Sequence, residues 1–438
     1  MQNQIRHSKP QSNHHVQRGV DSHLLAAPLC VTKTAMKQFG RALLWTMWFA
    51  PVCGFAQIDP NKRDLIQLGY NQAFEGHAPY AGYAFYYHNQ PDFLRTNLTL
   101  RLAVAPVYMD SEFGFVHGLG PNTDFGIGVA GGGFADSYNE IDGGTYHPNQ
   151  SFEGHGAEIS ASMYHLFNPA SRIPLNFVLR GMAHYSTYAR WSSTDPAFQL
   201  PADRGEFSVR SGLRWGGIEP TLFPALAMEL SAWYEGQLRT SYGPYGFNGD
   251  RSTEQQSHQF WSEAALSYTL PKSQQNFFVR LLAGTSVDAD RFSAYRLGGY
   301  LPLVSEFPLI LPGYYFQEIS ARQFVLFNVN YLLPLDRSQR WNLDGNMATA
   351  VVDYLPGTGQ PGNSLTGVGG GILYRAPGDR LKIMLDYAYG VDAVRNGGRG
   401  ANSIGILMQW NLGKVKHDEG FTPAHPDRWR GWQWFMPN

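Results

Sequence analysis

The sequence predicts an all-β protein: a transmembrane antiparallel β-barrel of about 14–16 strands carrying one inward-folded loop. Three observations lead there. Alternating segments recur in which charged residues keep to the parity opposite Leu, Val and Phe. The connections between them alternate between long and short. Charged residues are 16% of the 438-residue chain and aromatics 14%, with 48 Gly and 27 Pro, a balance that suits many strands joined by turns. Mean hydropathy is −0.30, and no stretch of the body approaches the roughly eighteen apolar residues of a membrane helix. A formal net charge of −1 gives no case for nucleic acid.

The amino terminus reads as an export signal displaced from Met1. Residues 1–35 are polar, patternless and rich in His and Gln, and are expected to be a non-native or disordered extension. From Met36, Lys37 and Arg41 form a basic start, Ala42–Ala50 an apolar centre, and Gly54-Phe55-Ala56 a small-x-small cleavage site. Residues 36–56 are therefore expected to direct Sec export. Both cysteines, Cys30 and Cys53, precede that cut, so a mature chain would hold neither a disulfide nor a thiolate metal site. Residues 57–79 are polar and weakly periodic, and are expected to be a periplasmic segment before a barrel over 80–412.

Within the barrel each strand sets apolar against polar. Arg101 lies opposite Leu100 and Leu102; Glu158 opposite Ile159; Arg180 opposite Phe177 and Leu179. Phe207–Trp215 is the clearest, with Phe207, Val209, Leu213 and Trp215 on one parity and Arg210 and Arg214 on the other. Glu229, Glu235, Glu263, Arg280, Lys382 and Asp386 continue the polar row. A soluble sandwich would alternate in the same way. The connections decide for the membrane. Long ones (136–152, 190–205, 236–257) alternate with short ones (168–174, 216–220, 271–276, 336–340, 376–380), as do outer loops and periplasmic turns. A mixed-charge lumen follows, with Phe207, Val209 and Leu213 facing lipid. The weak region before Phe134 has room for a hidden strand pair.

The stretch Arg291–Leu335 organises the carboxy-terminal half. Tyr300–Phe316 is apolar and aromatic, with Glu306 its single charge. Left in water it would be an association liability, so it is expected to fold into the barrel mouth. Gly298, Gly299 and Gly313 permit the tight reversals, and Pro312 fixes its own φ.

Phe292–Leu412 resembles the BamA/TamA/Sam-type barrel superfamily, also called bacterial surface antigen barrels. The resemblance rests on Tyr295-Arg296-Leu297-Gly298-Gly299 leading into the loop, Leu311-Pro312-Gly313-Tyr314 at its tip and Tyr331-Leu332-Leu333-Pro334-Leu335 leading out. Leu343-Asp344-Gly345-Asn346, the Gly367–Gly371 run and Leu385-Asp386-Tyr387 follow in the family's order. Ser403, Gly405, Met408 and Trp410 match a terminal strand signal read by barrel-insertion machinery, here followed by a Trp-rich tail, 413–438. The resemblance implies that the tip sits near Asp344 and Gly345. It also implies a role in inserting or translocating proteins or surface material, with outer-membrane lipid and a protein substrate or periplasmic partner. Pro312 stands where the family has Arg, and Gln57–Pro79 is too short for a POTRA repeat, which implies a divergent, barrel-only member. A passive or gated channel and, last, a lipid-active enzyme are the alternatives.

No nucleotide loop, zinc spacing or nucleophile elbow is present, and no catalytic, cofactor or metal residues are assigned. His184, Ser186 and Asp195 have the composition of a lipase triad, but His184 and Ser186 share the lumenal parity, where hydrogen bonding is the expected role. Asp288 and Asp290 in one loop have the carboxylates for a calcium ion, but two loop carboxylates are more often simply solvated, and that is the expectation. For the tail, Trp anchoring at the interface is the simplest role, with plugging the lumen or docking a partner as alternatives.

Overall fold

The structure is a computed structural model. It describes residues 61–413, apart from 172, 219, 220, 225 and 304. The extension, the signal segment and all of the Trp-rich tail beyond Gly413 lie outside the described residues.

Sixteen strands form one closed antiparallel wall. They are β1 Arg63–Ala73, β2 Gly82–Gln90, β3 Leu98–Val104, β4 Tyr108–Gly120, β5 Thr123–Gly132 and β6 Glu153–Leu166. Next come β7 Leu175–Ala189, β8 Arg204–Gly217, β9 Leu226–Arg239, β10 Gln256–Thr269 and β11 Asn276–Val287. The last five are β12 Ile319–Pro334, β13 Trp341–Tyr354, β14 Ser364–Arg375, β15 Leu381–Arg395 and β16 Gly398–Asn411. Each pairs with the next, and β16 returns to β1 with Leu65 opposite Asn411 and Ala73 opposite Ser403. Closure removes both sheet edges, which a lipid-facing wall requires. The even count brings both ends of the wall to one rim.

Sixteen is the upper end of the sequence expectation, and two strands account for the difference. Tyr108–Gly120 is one. The other corrects the assignment of 57–79 to a periplasmic segment, because Arg63–Ala73 is the first barrel strand. Its inward row is Leu65, Gln67, Gly69, Asn71 and Ala73. Small and uncharged residues there make the alternation faint, and its closing partner lies more than three hundred residues away.

The outward row of β8 is as expected: Phe207 is 57% exposed, Val209 49% and Leu213 48%, while Arg210 and Arg214 turn inward. Val209→Lys should therefore cost about 2–4 kcal/mol if the site lies near the bilayer midplane. Urea unfolding from lipid vesicles measures it, and a loss within experimental error would place Val209 in water.

The long connections close over one rim. Tyr138, Phe152, Phe198 and Tyr245 form a buried aromatic cluster there. Arg291 reaches Glu140 at 3.1 Å, and the Arg204 guanidinium lies 4.2 Å from the Phe292 ring centre.

Candidate functional site: a loop-filled lumen

The chain leaves β11 into the loop through Asp290. One carboxylate oxygen accepts bonds from the Phe292 and Ser293 amides, and the other from Arg239 at 2.5 Å and the Glu254 amide at 2.9 Å. Asp290 is thus buried and paired, which corrects the solvated reading; a loop carboxylate gains a fixed cation only when distant strands converge. Tyr295–Leu297 then pairs with β12, Leu297 opposite Ile319, and Tyr295 Oη donates to Phe260 O at 2.9 Å.

Beyond it the loop turns into the barrel. Gly299 and Leu311 bridge across an antiparallel hairpin, with Gly298 at φ 142° and Gly299 at φ 68°. Tyr300, Leu301, Leu311 and Tyr314 are buried, as the apolar composition requires. The tip docks elsewhere than the family resemblance implies. A Cβ on Gly313 would lie 1.9 Å from the Gly390 amide nitrogen, and one on Gly367 2.0 Å from the Pro312 carbonyl oxygen. The seat is therefore the bare backbone of β14 and β15. Asp344 pairs with Gly371 across β13–β14, and Gly367 with Ala348. The tip thus sits four residues along the ladder from Asp344, about 13 Å. Asp344 instead shares Asn346 with Asp386: the Asn346 side-chain amide donates to one carboxylate oxygen of each, at 3.1 Å. Gly345 has open space over its Cα.

Two ion pairs hold the loop. At its exit Glu318 takes Arg395 of β15 in a two-pronged bond, 2.7 and 2.8 Å, and also accepts from the Tyr315 amide. The guanidinium lies 3.6 Å from the Tyr315 ring centre. Where the family's Arg would come from the tip, here the cation comes from the wall. Tyr315 Oη donates to Glu75 O at 2.8 Å, and the Glu75 carboxylate takes the Asn402 amide of β16 at 2.6 Å, so the loop is also tied to the β1–β16 closure. Across the lumen Glu306 meets Arg214 at 2.5 Å and Arg210 at 3.6 Å. Phe307 inserts beside the stacked Trp233 and Trp261, ring centres 5.2 and 5.5 Å away.

Each expected lumenal charge lies on the inner wall. Arg101 pairs with Asp110 at 2.9 Å, Arg180 with Glu158 at 2.9 Å, Arg210 with Glu235 at 2.6 Å and Arg214 with Glu229 at 3.0 Å. Arg280 holds Glu263 through two bonds. Lys382 donates to Leu222 O at 3.0 Å, while Gln409 accepts from the Leu222 amide. Leu222 belongs to the short-turn rim, so part of the β8–β9 connection also folds inward. It meets Tyr300 and Leu301 in one apolar cluster with Leu373, Met384 and Leu407. Inserts from the two rims therefore touch inside the barrel. A cavity of about 1030 Å³ remains beside them. In the terminal strand Ser403 and Gly405 face in, Met408 is half-buried and Trp410 faces out.

Glu306→Gln should cost less than about 1 kcal/mol, because its carboxylate is half exposed and both arginines keep a wall partner. The same change should raise the frequency of channel openings in planar bilayers. Unchanged opening would mean that Glu306 does not hold the plug.

His184 Nε2 lies 2.8 Å from Asp136, and Asp195 caps the Ala197 amide instead, so the three triad-like residues are not brought together. Burial raises the Asp136 carboxyl, but hydrogen bonds from His184 and Ser186 and the nearby His184 charge outweigh it and hold the group below its ordinary range.

No protein-family model matches the sequence, and no curated protein matches it. Among solved structures, CdiB from Escherichia coli is 11% identical with a TM-score of 0.53, over 86% of this chain and 70% of that one. CdiB from Acinetobacter baumannii is 8% identical with a TM-score of 0.52, over 80% of this chain and 60% of that one. BamA from Haemophilus ducreyi lacking POTRA domains 1–3 is 10% identical, over 85% and 78%, at 0.48. The chain shares the fold of the CdiB barrels.

Proposed function

We propose that this barrel resides in the bacterial outer membrane, reached by Sec export through residues 36–56, and helps polypeptides or surface material enter or cross that membrane. The observation that carries the reading is the tethered loop. A lumen filled by a segment held at a few named points, Glu318–Arg395 and Glu306–Arg214, suits a device whose interior must clear during work. The partners proposed are outer-membrane lipid, a client chain and a periplasmic factor. Catalysis, cofactors, metals and nucleic acid have no part in it.

A gated channel is the second reading, favoured by the charged wall beside the remaining cavity. Two measurements separate them. In proteoliposomes the barrel should speed folding of a urea-denatured outer-membrane barrel severalfold over empty vesicles. In planar bilayers the intact protein should stay closed, and deletion of residues 291–320 should open it. Steady conductance from the intact protein without any acceleration of folding would favour the channel.

A further inference from the structure

The two rims of the wall treat their cations differently. On the long-loop rim each arginine of the last five strands has an acid. Arg322 meets Asp353 at 2.8 Å, Arg395 meets Glu318 at 2.7 Å and Arg399 meets Asp392 at 3.9 Å. The short turns of the same arc carry Lys272 between β10 and β11, Arg337 and Arg340 between β12 and β13, and Arg380 between β14 and β15. All four are exposed. Among the described residues none of the four forms an ion pair. Arg95, in the β2–β3 turn beyond the closing seam, is exposed in the same way.

The acids of these turns are engaged elsewhere. Asp336 accepts from the Ser338 hydroxyl and from the Trp341 amide, the latter at 2.8 Å, and Asp379 pairs with Lys382 at 3.0 Å. Over residues 270–275, 335–340 and 376–382 five cations stand against two carboxylates, a net charge of +3. The three turns follow one another around the rim, about 10 Å apart. That is close to the Debye length, so their fields add along the arc.

Their depth follows from the aromatic residues beside them. Phe277 and Tyr331 pair across β11–β12 with ring centres 4.8 Å apart, and Trp341 and Tyr374 across β13–β14 at 4.9 Å. Trp410 stands opposite Leu381. Phe277, Trp341 and Trp410 are exposed on the outward face, and such a girdle sits at the headgroup level. Arg340 directly precedes Trp341, and Arg380 directly precedes Leu381. The cations therefore lie one step beyond the girdle, at the depth of the phosphates. A guanidinium takes a phosphate through two parallel N–H···O bonds. A zwitterionic headgroup brings its own ammonium to that phosphate, whereas an anionic one leaves it to the protein.

We propose that the short-turn rim from β10 to β15 is a binding site for anionic phospholipid. Lys272, Arg337, Arg340 and Arg380 take the phosphates of phosphatidylglycerol-type headgroups, and Trp341 with Tyr374 packs against the chains below them. The site gives a chemical class to the lipid partner named above. It needs the barrel to lie in a bilayer, and it needs no client.

The test places one fluorescent label on the full chain, with Cys30→Ser and Cys53→Ser, in phosphatidylcholine vesicles. Ser338→Cys puts it between Arg337 and Arg340, and Ser364→Cys puts it on the outward face of β14 at the opposite rim. Quenching by brominated phosphatidylglycerol is compared with quenching by brominated phosphatidylcholine. One cation near an anionic surface is worth about fivefold in binding, so the Ser338 label should see the anionic lipid preferred by about tenfold or more. The preference should shrink to about twofold in 0.5 M salt, and the Ser364 label should show about twofold or less throughout. Changing Lys272, Arg337, Arg340 and Arg380 together to Gln should abolish it without moving the urea midpoint, and Arg340→Gln alone should lower it severalfold. Equal preference at both labels, no preference at Ser338, or a preference that survives the fourfold change would each overturn the proposal. A polyglutamate peptide binding at the Ser338 label where the lipid shows no preference would assign the rim to an acidic protein instead. The readout contains no client: its failure leaves the proposed function standing, and failure of client folding leaves the lipid site standing.

Discussion

Arg395→Ala should destabilise the barrel by about 3–5 kcal/mol and release the loop, the cost of leaving one member of a buried ion pair uncompensated. The side chains of Arg395 and Glu318 are 3% and 1% exposed. Removing the guanidinium strands a carboxylate that then keeps only the Tyr315 amide, and takes the cation off the Tyr315 ring. Because Tyr315 also anchors to the β1–β2 connection through Glu75 O, the loss should spread to the closing seam. The double change Arg395→Met with Glu318→Gln should recover much of the stability, since no buried charge remains. Urea unfolding from vesicles gives the energies and planar-bilayer recording the opening of the lumen. A single variant as stable and as closed as the native barrel would show that the pair does not hold the loop.

The wall was legible because a barrel imposes the same two-residue contrast many times, and lumenal charges mark it. Phe207–Trp215 shows both rows clearly. β1 was not legible: Gln67, Gly69, Asn71 and Ala73 give little contrast, and what fixes it is β16. The inward fold of the loop could be read from Tyr300–Phe316, since that much apolar surface has nowhere else to go. Its seat could not. Glu318 and Arg395 are each isolated charges in the sequence, 77 residues apart, and an isolated charge does not name its partner. Likewise Asp290 gave no sign of Arg239. The inward turn at Leu222 has no marker beyond its apolar character. The signal for the tip's true seat was present in Gly367-Val368-Gly369-Gly370-Gly371, which reads as a strand signature but is also a strip where a backbone can approach closely.

That strip yields the sharpest contrast between expected and observed docking. Gly313→Ala must place a methyl group 1.9 Å from the Gly390 amide nitrogen while holding φ at 82°, a left-handed conformation that costs an L-residue about 1–2 kcal/mol. Gly367→Ala drives its methyl to 2.0 Å from Pro312 O. Both obstacles are backbone atoms that cannot swing aside, so overpacking adds about 1–3 kcal/mol in each case. Each variant should therefore lose about 1–5 kcal/mol, Gly313→Ala more than Gly367→Ala, and each should conduct in planar bilayers. Gly345→Ala meets nothing within 4 Å and should be neutral or slightly stabilising, because alanine orders a strand better than glycine. Had the tip rested on Asp344, Gly367→Ala would be silent; Gly345→Ala is the control, because Gly345 shares the outward parity of Leu343 and Met347 and its methyl points out of the wall with either seat. The three variants unfolded side by side in urea, with their conductance recorded, decide between the two seats.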